Sequence, residues 1–131
     1  MKIFKQVLVI LIIAFSFSKT AFCQSSLEKL LPEKWTVVKT IVVPDDKIVL
    51  FNEKFGGEAL SITNDIIETD LGRIQINIVH CKSEKDADNI YKTVASIHKS
   101  EEKCMKIGKV VYEFRSNIDE LIKKAKSLFK N

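Results

Sequence analysis

Two histidines and three cysteines are the residues most able to do chemistry in this chain of 131 residues. His80 is adjacent to Cys81, and His98 and Cys104 follow one short element later. These are zinc-ligating residue types. The spacing argues against a shared ion, because neighbouring residues of a strand point to opposite faces and His80 and Cys81 end one. The same opposition makes them a poor nucleophile–base pair. No serine sits in a Gly-x-Ser-x-Gly elbow. Carboxylates occur in pairs at Asp45-Asp46, Asp86/Asp88, Glu101-Glu102 and Asp119-Glu120. All lie in a turn or near helix ends, where acids cap or solvate and need not converge on a cleft. No catalytic residue, metal or cofactor is expected from this pattern.

Two further groups suit binding better than catalysis. Phe55-Gly56-Gly57 contains the one glycine pair. It lacks the spacing and lysine of a phosphate loop, so it reads as a bend between strands, or as a flexible binding loop with Phe55 as its exposed anchor. Lys123, Lys124, Lys126 and Lys130 lie opposite the apolar stripe of a terminal helix. They form either a solvated face or a contact surface for an anionic partner.

Cysteine usage depends on compartment. Lys2 and Lys5 precede an apolar run from Val7 to Phe17, then Ala21 and Cys23 supply small residues before Gln24. This is the layout of a secretory signal peptide over residues 1–23. The run is too short for a bilayer span, which takes about 20 residues. An uncleaved anchor is one alternative, and a lipoprotein anchored through Cys23 is another, although Phe22 is a poor residue before a lipidated cysteine. The mature chain would be residues 24–131, periplasmic or extracellular. Losing Lys2, Lys5 and Lys19 leaves 18 basic against 17 acidic residues, so the formal charge falls from +4 to +1. The remaining positive charge gathers late, at a net +5 over residues 103–131.

In an oxidising compartment Cys81 and Cys104 are expected to bond, under a geometric condition. The helix between them is about 25 Å long, and bonded cysteines need Cα atoms within about 7 Å. The bridge therefore requires residues 101–106 to run back along the helix, which would make the last strand antiparallel to strand 73–81.

The elements that position these residues follow from pattern. Thr36–Val43 is β-branched and reads as a strand, Pro44-Asp45-Asp46 as a turn, and Lys47–Phe51 as a second strand completing a hairpin. Leu60–Thr69 is a third strand. Arg73–Cys81 is a fourth, with Ile74, Ile76 and Ile78 alternating with polar residues. Ser83 and Asp86 resemble a capping box for a helix to about Ser100, with Ala87, Ile90, Tyr91, Val94 and Ile97 on its stripe. Lys109–Phe114 is a strand, and Asn117 with Glu120 caps a last helix bearing Ile118, Leu121, Ile122, Ala125, Leu128 and Phe129. The expected fold is α+β: a mainly antiparallel sheet of about five strands with two helices packed on one face, in a single small domain.

The functional reading is an exported, non-catalytic binding or protein-interaction module of a bacterial envelope. Its partner would be an acidic protein or an anionic envelope component. Nucleic acid is disfavoured by export, by a count of only two arginines and by the lack of a basic–aromatic pattern. Two alternatives remain open: a small envelope hydrolase with a site assembled around His80 or His98, and a structural envelope component that self-associates.

Overall fold

The structure, a computed structural model, describes residues 27–130. The expected signal peptide, its cleavage site and Cys23 lie outside the described residues. The elements in chain order are β1 (Thr36–Val42), α1 (Asp45–Phe55), β2 (Ala59–Thr69), β3 (Gly72–Cys81), α2 (Glu84–His98), β4 (Cys104–Ile107), β5 (Val110–Arg115) and α3 (Asp119–Ser127). The strands form one antiparallel sheet in the order β1-β2-β3-β5-β4. The α+β class and five-stranded antiparallel sheet match the sequence pattern. The helix count, their placement and one strand differ.

Pro44-Asp45-Asp46 opens helix α1, where a turn and a strand were expected. The Pro44 carbonyl accepts from Lys47 N and Ile48 N, and Asp45 and Asp46 place negative charge in the first turn, where the helix dipole favours it. Ile48, Phe51 and Phe55 are the buried residues of α1. Their spacing of three and four is helical, while Val49 and Leu50 face outward. The β-branched run through Val43 obscured this, because KIVLF alone suits either element. Gly56 ends the helix in the left-handed region, at φ 71°, and its N–H donates to the Asn52 carbonyl.

Residues 104–107 form β4, a short edge strand that sequence analysis passed over. Both β3 and β4 run antiparallel to β5, so α2 crosses between two parallel strands and β5 returns between them. The last long strand is thus antiparallel to β3, the direction that a cysteine bridge required.

Helices cover both faces of the sheet, not one. On the first face, α1 and α2 enclose Ile62 of β2, Val79 and Cys81 of β3 and Val111 of β5. On the second, α3 and the segment holding Leu27 and Trp35 enclose Ile67, Ile74, Ile76 and Phe114. This explains four consecutive buried residues in β2 (64–67) and in β3 (76–79), where period-two patterning implied one wet face. The apolar stripe expected for the last helix does face the sheet. Its Phe129 lies 4.5 Å from Tyr112 and 5.9 Å from Phe114, ring centre to ring centre. The cap differs: Ile118, not Asn117, precedes α3 and offers no side-chain hydrogen bond. Ser116 Oγ instead accepts from Ile118 N. The Ser83 cap of α2 forms as expected, its hydroxyl accepting from Asp86 N at 3.1 Å.

Candidate functional site

The half of the first face away from α1 is polar. Alternation along β3 puts Arg73, Gln75 and Asn77 on that face with Val79 and Cys81. Register then sets Asn77 opposite Asn64 of β2 and Glu113 of β5, and Gln75 opposite Arg115. His98, the last residue of α2, closes over this group. Lys99 behind it takes a left-handed conformation at φ 54°, which turns the chain towards Lys103.

These side chains form a continuous hydrogen-bond chain. Gln75 Nε2 donates to Asn77 Oδ1 at 2.8 Å, and Asn77 Nδ2 donates to Glu113 Oε1 at 2.6 Å. The second carboxylate oxygen of Glu113 meets His98 Nε2 at 2.6 Å. Burial alone would push the Glu113 carboxyl up. The hydrogen bonds from His98 and Asn77 and the Arg115 charge outweigh it, and the net direction is down. An ionised carboxylate only accepts, so His98 Nε2 carries the proton and donates. Asn64 is fully buried beside this chain, and neither atom of its amide has a hydrogen-bond partner among the described residues.

Over the chain lies a cleft of about 590 Å³. Arg73, Lys103, Arg115 and His98 line it with neutral Gln75, Ser116 and Asn117, and no carboxylate is among its lining residues. The chain's two arginines, out of 21 basic residues, both reach this cleft. Arg73 pairs with Glu68 across the β2–β3 hairpin. The Arg115 side chain makes no ion pair or hydrogen bond among the described residues within contact distance, although its charge acts on Glu113. Lys103 also borders a smaller hollow of about 200 Å³ with Lys123, Lys126 and Lys130, where the carboxylates of Glu102 and Asp119 join the lining.

The residues singled out from sequence are distributed differently from expectation. Lys123, Lys126 and Lys130 come together, but Lys124 turns away. It lies 3.8 Å from Glu120 and borders a separate depression with Trp35 and Asp70. Lys126 Nζ donates to the Glu101 carbonyl at 3.1 Å.

Phe55 is buried, stacked on Phe51 with ring centres 4.1 Å apart, so it is no exposed anchor. The Gly56-Gly57 segment is a packing joint. Asn89 Nδ2 donates to the Gly56 carbonyl at 3.2 Å. A side chain on Gly57 would stand 2.6 Å from the Asp86 carbonyl oxygen and 2.8 Å from the Ile90 side chain. This glycine is required because α2 approaches so closely.

The expected Cys81–Cys104 disulfide is absent, and both thiols are free and buried. Cys104 is level with Glu113, hence with Asn77, two strands across from β3 and four residues along it from Cys81. That separation is roughly 16 Å between Cα atoms, from strand spacing and rise, well beyond a disulfide's reach. The return does occur, as β4 at the sheet edge beside α2, where Lys106 pairs with Asp88 at 2.8 Å, but Cys104 stands at its start, level with Asn77. Burial, with Asp86 nearby, pushes the Cys81 thiol up to about 11. Burial likewise pushes Cys104 to about 11, against the pull of Lys126. Both stay protonated at neutral pH, a poor state for a nucleophile or metal ligand.

His80 and His98 lie on opposite faces: alternation puts His80, which is exposed, on the Ile78 face. Among the described residues, no three metal-ligating side chains of His, Cys, Asp and Glu come together.

Sequence reasoning missed Gln75 and Asn77, read as the polar alternation of a strand with one buried face, Glu113, which it did not single out, and both arginines, noted only as few. One available signal was Glu113, a lone acid in the apolar strand VVYEFR. No protein-family model, curated protein or solved structure matches this chain.

Proposed function

We propose that the protein is an exported, non-catalytic binding module of a bacterial envelope that holds an acidic partner protein on a continuous basic surface. One observation carries this reading: Lys103 belongs both to the arginine cleft and to the lysine hollow. Arg73, Arg115, Lys103, Lys123, Lys126 and Lys130 thus form one predominantly basic track, in which Glu102 and Asp119 are interspersed at the hollow, although the chain as a whole is nearly neutral once residues 1–23 are set aside. A local field of this kind steers an acidic surface and fixes its register. Export rests on the residue pattern of 1–23. No helix among the described residues is long and apolar enough to cross a membrane.

The test is retention on immobilised polyglutamate. A triple reversal, Lys123→Glu, Lys126→Glu and Lys130→Glu, is expected to weaken binding at least about tenfold, or 1.4 kcal/mol. The same charge change at Lys54, Lys85 and Lys92, on α1 and α2, is expected to matter far less. Equal losses from both triples, or stronger binding to anionic phosphatidylglycerol vesicles than to polyglutamate, would contradict a partner-protein surface.

A second reading, a small envelope hydrolase, is favoured by the His98–Glu113 pair beside the cleft. An oriented imidazole there could serve Ser116, a hydroxyl lining the same cleft. Turnover of a chromogenic ester, lost in both His98→Asn and Ser116→Ala, would support it. Absence of turnover in the folded protein would remove it.

A further inference from the structure

We propose that the cleft between β3, β5 and the turn after α2 is a receptor for a single oxyanion group, a carboxylate or phosphate, with Arg115 as its principal ligand beside Arg73 and Lys103. The inference rests on the binding-module reading and assigns a specific ligand chemistry to one part of the surface.

Four observations converge on the site. The first is charge. Three permanent cations line the cleft and no carboxylate does. Arg115 is opposite Gln75 and Arg73 is two residues along β3 from Gln75. The guanidiniums are therefore diagonal neighbours on one face, within reach of one another, so an anion between them relieves their mutual repulsion. Glu68 offsets Arg73, and the buried Glu113 offsets part of the Arg115 charge.

The second is the kind of cation. The chain has 19 lysines and two arginines, and the arginines meet here. A guanidinium matches a carboxylate or phosphate with two parallel N–H donors, which an ammonium cannot do.

The third is the floor. Glu113, the buried carboxylate of the floor, gives its oxygens to Asn77 and His98 and attracts Arg115 from below. The Gln75–Asn77–Glu113–His98 chain holds the floor rigid before any ligand arrives, which lowers the ordering cost of binding.

The fourth is room and donors. A volume of about 590 Å³ falls within the span of small-ligand sites, roughly 300–1,000 Å³. Ser116 Oγ already accepts from Ile118 N, which leaves its O–H to donate alongside the Asn117 amide.

Calorimetric titration of the purified protein with pyrophosphate and, separately, citrate tests the site. Saturable binding of one or both is expected, and the arm that binds identifies the source as phosphate-bearing or carboxylate-bearing. Arg115→Gln is expected to weaken it at least about tenfold, the scale of a lost charge-assisted pair. Arg115→Lys restores only part, because charge returns without the fork. Arg73→Gln gives a second, smaller loss, and Lys54→Glu, on α1, leaves binding unchanged. Circular dichroism confirms that each variant is folded. No saturable heat with either probe, or equal affinity in wild type and Arg115→Gln, overturns the site. If polyglutamate retention still depends on Lys123, Lys126 and Lys130 in that event, the site falls and the wider binding reading stands. If that dependence is also absent, both fall.

Discussion

Along β3, Val79 and Cys81 share a face with Gln75 and Asn77, yet the two pairs occupy different surroundings. Val79 and Cys81 lie under α1 and α2, in a cluster with Phe51, Phe55, Ile62, Ile90 and Val111. Two turns of pleat away, Gln75 and Asn77 meet His98, Glu113 and Arg115 beneath an open cleft. The same strands supply both halves, so the sheet does not dictate the difference. The reach of the helices does. α1 packs near the start of β2, and α2 ends at His98, beyond which the face is roofed only by the turn to Lys103. Apolar side chains occupy the half that helices can seal, and hydrogen-bonded polar ones occupy the half left ajar. A fully buried aliphatic or aromatic side chain contributes roughly 1.5–3 kcal/mol by leaving water. A buried polar group contributes little net and is costly when unmatched. The apolar half therefore holds the fold, and the polar half adds less to stability, in line with the proposed role of its cleft.

Substitutions in the two halves should separate these roles. Phe55→Ala, in the apolar half, is expected to lose roughly 3–5 kcal/mol in urea unfolding, through lost burial and a cavity. Its folded fraction should bind oxyanions as wild type does. A comparable loss of affinity would mean that the two halves are not independent.

Glu113→Gln, in the polar half, is expected to lose roughly 1–3 kcal/mol at neutral pH by weakening the charge-assisted bond to His98. Its pH dependence has a definite sign. The Glu113 carboxyl is held below its ordinary value of 4.5 in the folded protein. A depressed folded value stabilises above the unfolded value, and that stability is lost as pH falls through the folded one. Wild type should lose stability on acidification below about pH 4.5, and Glu113→Gln should lack that part of the acid limb. Parallel acid profiles would place the ionised group elsewhere.

The smallest effect has the opposite sign. Asn64 is buried without hydrogen-bond partners among the described residues, and the similarly sized Asn64→Leu is expected to raise stability by about 1 kcal/mol, because it removes an unmatched polar group. Destabilisation would show that the amide does have a partner.

The sequence disclosed the period-based features and hid those made by register. Ile74, Ile76 and Ile78 announced β3, and the α3 stripe from Ile118 to Phe129 was legible because spacing alone identifies a helical face. Helix α1 was misread because Ile48, Phe51 and Phe55 stand beside Val49 and Leu50, which fill the gaps with apolar residues. Both outward residues are exposed, so composition masked the period. The cleft was illegible for a different reason. Arg73 and Arg115 are 42 positions apart, and only the β3–β5 register brings them together. The same register defeats the cysteine bridge. Once β4 takes the edge position, Cys104 lies beside Glu113 and not near Cys81. No local pattern in residues 101–110 announced that four-residue strand.

The measurement closest to the central claim is a map of amide chemical shifts during titration with citrate or pyrophosphate. The account predicts saturable movement at Gln75, Lys103, Arg115, Ser116 and Asn117, with residues 55–57 and 79–81 unmoved. Shifts confined to the Phe55-Gly56-Gly57 joint, spread evenly over the exposed lysines, or absent with both probes would contradict it.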